Sequence, residues 1–549
     1  MHRLRNLPVW SKILLGFLLL IVVFLISASI FLDGMVDRQL KKMISNSNDQ
    51  LYHFEYSKLR INLFTGNLTL YDLKITADSS LFIEFKKQHR APRYLITGDA
   101  KFVKLKHLNW LTYLASKKIS GSNLIIESPD IALTQFSNPS NEPDTPGRAG
   151  KIIAERLNGL SLDAFQIMNA AVRYKYIDSQ LNPAVEYQFQ NIDFKIEDLR
   201  LKRKGKLKEV SLSNYELSLN KYEFHSPDSM YVIQLNNFGY SLKDDAASLK
   251  SFIVKPRLAE KEYSKLKFQK ERNELKVENV TCKGIDIISL VEKGVLKIKS
   301  AHVPSGSWDL YLNRIPKLPP PREDPVPVQK LKNLPFYIDI RELSVGKFQL
   351  RYKEYNPATE KDGILNFNDI SGTFKNLTNI PNVISANPEL KVSLYAKLMN
   401  IGKFNANFNF LLNDESGKFD VNASLGKMDA IQFNPGFIAL NKLEITSGTV
   451  DTLFCSGSGN ENGAAGDVNM LYHGLHVSVL AKDKNTNELK KKGFFSLIAN
   501  IFVKNDNPKK KEPVRTAHNL RIKRGPERSF FNLLWMILFT GIGKIATGK

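Results

Sequence analysis

His473 and His476, in the stretch VNMLYHGLHVSVL, are residue types that bind metals or move protons. The stretch alternates like a β-strand, and two strand residues three positions apart point to opposite faces, so the pair is not expected to chelate one ion. No HExxH helix, no Cys/His cluster and no GxSxG elbow occurs elsewhere. The glycine-rich run GSGNENGAAG, 457–466, lacks the Gly-Lys-Ser/Thr that cradles a phosphate and reads as a flexible turn. Carboxylates are scattered along alternating segments, as on a solvated strand face. Cys282 and Cys455 form no CxxC, are too few for a disulfide framework, and read as unpaired, mostly buried thiols. The sequons at Asn67, Asn279, Asn376 and Asn422 read as chance matches if the host is bacterial. The expectation is a non-enzymatic protein with no catalytic residues, no cofactor and no metal.

The elements that remain must act through surface. A chain of 549 residues exceeds one compact domain, and 43% apolar with 10% aromatic residues can bury a real core. The formal charge is +23. Such charge gives nonspecific phosphate affinity, but no nucleic-acid motif accompanies it, and the N-terminal segment predicts export of the bulk of the chain. Residues 1–12 carry Arg3, Arg5 and Lys12. Residues 13–32, ILLGFLLLIVVFLISASIFL, hold no charge. About 20 apolar residues at about 1.5 Å each match a bilayer core of about 30 Å. Ser27-Ala28-Ser29 could serve signal cleavage, but Ile30-Phe31-Leu32 continue the apolar run, so an uncleaved anchor is expected. The basic flank places the N-terminus inside and the bulk of the chain outside.

From the connector at 33–55 onward the pattern is β: short alternating segments punctuated by Gly, Asn, Asp and Pro. LRINLFTGNLTLYDLKI, 59–75, alternates, turns at Thr65-Gly66-Asn67 and changes phase near Tyr71-Asp72, which suggests a bulge. Helical period is clearest at 108–118, at 285–293 and in the tail. A long-range repeat runs through the chain. VRYK at 172–175 matches LRYK at 350–353. Leu124, Ile126, Ile131 and Leu133 match Ala301, Val303, Trp308 and Leu310. The Pro-rich loops at 138–146 and 316–327 share the phase, and Leu70, Leu73 and Ile75 match Leu249, Phe252 and Val254, all at offsets of about 177 to 179. A diverged duplication is expected, with units at 56–232 and 233–410, then a strand-rich region at 411–482 and a tail at 483–549.

An exported anchor followed by LFTGNLTLYDLKI, and later KMDAIQFNPGFIALNKLEITSGTVDTL and AAGDVNMLYHGLHVSVL, resembles the AsmA-like superfamily of Gram-negative envelope proteins. The string is Asn434-Pro435, then Ile445, Gly448, Val450 and Leu453, then Gly466 and Tyr472. The resemblance implies a mainly β, elongated, strongly bent antiparallel sheet with an apolar groove, few short helices and one N-terminal transmembrane helix. It implies an inner-membrane, periplasmic location. Alternating strands bury one face, so groove-facing candidates are Leu59, Ile61, Leu63, Leu68, Leu70, Val172, Tyr174, Leu350 and Tyr352. A closed sandwich core fits the same residues.

In the tail, from Lys482 on, about 16 Lys/Arg face about 5 Asp/Glu. Its apolar run, Phe530 to Ile542, follows RIKRGPER, which suits an interfacial helix on an anionic leaflet. Membrane-interface candidates are Phe530, Phe531, Leu534, Trp535, Ile537, Leu538 and Phe539. A helix docked on the sheet and a solvated charge run are the other readings. The functional expectation is passive carriage of phospholipid along the groove for outer-membrane homeostasis, with membrane lipids, the inner membrane and envelope proteins as partners and no nucleic acid. The alternative is a membrane-tethered scaffold for envelope assembly.

Overall fold

The computed structural model describes residues 51–62, 64–88, 94–116, 118–136, 159–177, 183–204, 207–226, 228–286, 289, 295–319, 325–334, 336–482, 489–491, 503–525 and 529–548. The expected cytoplasmic N-terminus, the anchor at 13–32, most of the connector and Leu63 lie outside them. The chain is mainly β with a few short helices. It divides into two compact units, Met1–Phe224 with Asn236–Asp244, and His225–Leu235 with Asp245–Lys549. The second runs through 410 without a break, since one strand, Gly402–Leu411, contains that position and pairs with the next.

The first unit contains β1 (Tyr52–Glu55), β2 (Lys58–Asn62), β3 (Asn67–Ala77), α1 (Ser79–Lys87), β4 (Tyr94–Lys106), α2 (Trp110–Ser116), β5 (Lys118–Glu127), β6 (Asp130–Phe136), β7 (Gly159–Ile177), β8 (Pro183–Lys204), β9 (Leu207–Ser211) and β10 (Asn214–His225). After β11 (Tyr231–Ser241), the second contains β12 (Ala246–Pro256), β13 (Glu271–Ile285), β14 (Val295–Val303), β15 (Ser305–Asn313), α3 (Pro327–Lys332), β16 (Tyr337–Asn356), β17 (Lys361–Thr378), α4 (Pro381–Ala386), β18 (Glu389–Leu398), β19 (Gly402–Leu411), β20 (Phe419–Leu425), β21 (Met428–Asp429), α5 (Asn434–Asn441), β22 (Leu443–Asn460), β23 (Gly463–Lys482), β24 (Leu489–Lys491), β25 (Thr516–Lys523) and α6 (Phe530–Thr547).

The two units share a connectivity and a register. In the first, β4 pairs with β5 and β6, both of these pair with β7, and β7 pairs with β8. In the second, β13 pairs with β14 and β15, both pair with β16, and β16 pairs with β17. Leu124 stands opposite Phe165, and Ala301 opposite Leu343. Ile131 stands opposite Val172, and Trp308 opposite Leu350. Register shifts fall between Ile167, Ala170 and Val172 and again between Val345, Phe348 and Leu350. The bulge residues Asn169 (φ 52) and Lys347 (φ 46) are both left-handed. Asn109 Oδ1 accepts from the Thr112 N–H at 3.0 Å, and Asp286 Oδ1 from the Ser289 N–H at 2.9 Å, so one capping device recurs. Paired strands, bulges and caps thus coincide between the two units at the offset seen in the sequence.

Two expectations are corrected. The sheets are not purely antiparallel, because β5 and β6 run parallel to β7, and β14 and β15 parallel to β16. Parallel neighbours need a crossover; the Pro-rich segment at 138–146 lies outside the described residues. His473 and His476 are both exposed, because Gly474 (φ 64) interrupts the alternation between them. Of the stretch read as helical at 285–293, Ile285 closes β13, Ser289 is helical, and most of the rest lies outside the described residues.

Candidate functional site

A strand pair places directly opposite residues on one face, so register identifies each face row by row. In the first unit, one row runs Leu59, Leu70, Val103, Ile126, Ile167, Phe194, Leu217. It crosses seven strands without a polar residue. The neighbouring row runs Ile61, Leu68, Leu105, Leu124, Phe165, Ile196, Tyr215. Farther along the strands lie Phe54, Ile75, Gly98, Ile131, Val172, Phe189, then Ile96, Leu133, Tyr174, Tyr187. Between the first two rows, on the opposite face, stand Arg60, Thr69, Lys104, Ile125, Gln166, Lys195 and Glu216. That face carries ion pairs such as Arg173 with Asp130 at 3.0 Å and Lys195 with Glu197. The Lys195 bond holds the Glu197 carboxyl below its ordinary range.

The apolar face is only partly covered. Among the described residues its hydrophobic cluster has just Leu105, Leu108 and Leu162 as buried members, with Trp110 of α2 packed beside them. Leu59 and Ile61 are buried, while Val103, Ile126, Ile167, Phe194, Leu217, Ile131 and Val172 are half-buried. At one end the rows become aromatic. Tyr174 stacks on Tyr187 at 6.3 Å, Phe189 on Tyr222 at 4.3 Å, and Tyr222 on Phe224 at 5.3 Å. Burial, with the neighbouring Tyr187, pushes the Tyr222 hydroxyl up to about 12.

The second unit has the corresponding face. One row runs Ala247, Cys282, Ala301, Leu343, Phe374, Val392, Phe408, Val421, Gly457, Gly466, Leu520. Here the far end is closed. Phe530 of α6 meets Phe408, Phe410 and Phe419, the last at 5.0 Å. Leu533, Ile537 and Ile545 join the same core. Gly541 permits the approach, since a Cβ there would lie 2.5 Å from Val468 Cγ2. Leu350 is half-buried between Trp308 and Phe367. The Tyr352 hydroxyl donates to Glu354 at 2.5 Å, and Glu354 pairs with Arg314. Burial and then the Glu354 charge push that hydroxyl far above its usual range. Its end of the face is therefore polar.

The tail candidates separate by helix face. Phe530 and Ile537 are core residues and not membrane-facing ones, because the 3.6-residue period turns them onto the sheet. Leu534 and Leu538 are half-buried against the same core, and Phe531, Trp535 and Phe539 are exposed. α6 extends to Thr547, beyond the run read from sequence. By length and composition it is apolar enough to cross a membrane.

The remaining motif residues do structural work. The Asn434 side chain donates to the Ile445 carbonyl and accepts from its N–H, both at 2.8 Å, pinning α5 to β22. Gly448 (φ 131) lies where a Cβ would come 2.8 Å from the Leu475 Cα. The Tyr472 hydroxyl donates to the Lys504 carbonyl at 2.9 Å. The run at 457–466 is an ordered hairpin and not a flexible turn, with Gly457 opposite Gly466. Cys282 and Cys455 are free thiols, and burial pushes the Cys455 thiol up to about 11. His473 Nδ1 lies 2.8 Å from Asp451, and His476 Nδ1 3.0 Å from the Ser447 hydroxyl. Among the described residues no group of three or more His, Cys, Asp or Glu could hold a metal ion. The residues that sequence reading missed are the middle of the apolar rows: Val103, Ile126, Ile167, Phe194 and Leu217. Their signal was alternation, which needs register before it becomes a row. No known family model matches the chain, and no curated protein matches it.

Proposed function

We propose that the chain is an AsmA-like, inner-membrane-anchored periplasmic protein that carries phospholipid passively along the apolar face of a bent sheet. The observation that supports this reading is the uninterrupted row from Leu59 to Leu217, half-buried over most of its length. Apolar surface left in water costs about 25 cal/mol per Å², and each acyl CH₂ laid on it returns about 0.8 kcal/mol. Seven strands at about 4.8 Å spacing give a row of about 29 Å, longer than one extended acyl chain. Headgroups stay in water, and no residue need read them. Any energy source belongs to a partner.

Fluorescent-phospholipid transfer between vesicles, with the full chain present, tests the reading. Ile126→Glu with Phe194→Glu places charge in two half-buried apolar rungs and is expected to abolish stimulated transfer. Gln166→Glu, on the opposite face, is expected to leave it unchanged. Equal transfer by both variants would overturn the proposal in favour of a tethered scaffold.

A further inference from the structure

α6 has two working faces, and the core uses only one. Phe530, Leu533, Ile537, Gly541 and Ile545 pack inward. On the other side Phe531 is 68% exposed, Trp535 43%, Met536 40% and Phe539 36%. The three rings are spaced four residues apart and form one stripe about 12 Å long. Trp535 and Phe539 stack at 6.2 Å. This is a contiguous aromatic surface on a helix whose orientation is already fixed from beneath.

Charge identifies what suits it. α6 contains no acidic residue. At its C-terminal end the Arg515 guanidinium donates through Nε to the Ile545 carbonyl at 3.1 Å, and the Lys504 backbone N–H to the Ala546 carbonyl at 2.7 Å. Lys544 is exposed on the helix itself, and Lys509, Lys510 and Lys511 are exposed on the adjoining loop. The acidic residues among the described positions of 503–548 are Asp506 and Glu512. Asp506 accepts from the Gly474 N–H, and Glu512 pairs with Lys509 and Arg515. Aromatic rings including a tryptophan, on a helix and adjoining loop whose Lys510, Lys511 and Lys544 are exposed and whose described carboxylates are engaged, match the headgroup–acyl boundary of an anionic bilayer.

We infer that the outer face of α6, through Phe531, Trp535 and Phe539, seats the second unit on an anionic phospholipid surface while its inner face stays in the core. The helix lies in the boundary and does not cross it, since leaving the sheet would expose Leu533, Ile537 and Ile545 together. The inference is independent of lipid carriage.

The full chain, reconstituted in fluorescent phosphatidylcholine vesicles, is mixed with sucrose-loaded vesicles of phosphatidylcholine alone or with phosphatidylglycerol at about 30%. Sedimentation of the heavy vesicles should carry down the fluorescent ones only when phosphatidylglycerol is present. The yield should drop about tenfold in F531S/W535S/F539S, and severalfold in K509Q/K510Q/K511Q or at about 0.5 M salt. The lysine variant lies on an exposed loop, so it reports even if the aromatic one misfolds. No wild-type tethering, equal tethering to neutral vesicles, or full tethering by both variants would overturn the inference.

Discussion

The first unit and the C-terminal end of the second carry the same kind of apolar row and finish it differently. In the first, the row from Leu59 to Leu217 meets little protein among the described residues. In the second, the row ending at Gly457, Gly466 and Leu520 meets α6, and the packed cluster reaches from Val326 to Ile545. Alternating strands explain both faces. What differs is a helix whose buried side fits the sheet only because Gly541 brings it close. An apolar sheet face is thus a packed core in one place and, among the described residues, mostly half-buried in the other.

Substitutions that probe depth should break the comparison if it is wrong. Phe419→Ala, fully buried beneath Phe530, is expected to cost about 3–5 kcal/mol. Phe194→Ala, half-buried on the first unit's face, should cost about half as much. Chemical denaturation of the full chain, followed by a probe in each unit, reads both. Equal costs would mean that the first face is covered after all. Gly541→Leu should cost about 1–3 kcal/mol by pushing α6 off Val468 and Leu520.

Thiol chemistry sharpens the contrast within the second unit. Burial raises both thiols, and Cys455 stands at about 11. Its thiolate, absent near pH 8, should form only as the pH approaches about 11, so alkylation by a polar reagent should be slow and rise steeply there. The sign for stability follows: a raised folded value favours the protonated folded state, so the contribution is full below the ordinary thiol value near 9 and is lost as pH climbs from there through about 11. Stability measured from pH 8 to 11 in wild type and Cys455→Ala checks it. The smallest effect belongs to the solvated face. Asp130→Asn, which breaks a half-exposed pair with Arg173, should change stability by less than about 1 kcal/mol.

Much of the fold was legible in particular residues. Leu124, Ile131, Phe165 and Val172 match their counterparts at Ala301, Trp308, Leu343 and Leu350 because each pair must meet the same cross-strand partner. Parallel strands were not legible, since a Pro-rich loop and a crossover look alike until the strands flanking it are placed. Nor was the bulge at Lys347, a residue type that rarely takes a left-handed conformation, although Asn169 at the matching position takes it readily. α6 was read as membrane-facing on composition, while its period held the second answer: Phe530, Leu533 and Ile537 on one side, Phe531, Trp535 and Phe539 on the other. The candidate rows were visible only at their edges, through Leu59, Ile61, Leu68, Leu70 and Val172.

The most direct measurement uses two adjacent isoleucines. Ile126 lies in the apolar row, and Ile125 in the row with Lys104, Gln166 and Lys195. A photo-crosslinking phenylalanine analogue placed at each position in turn, in the full chain in its native cells, is followed by mass analysis of the adducts. Phospholipid adducts at 126 and none at 125 are the predicted result. Protein adducts alone at 126, or equal lipid labelling at both positions, would contradict an apolar face kept open for lipid.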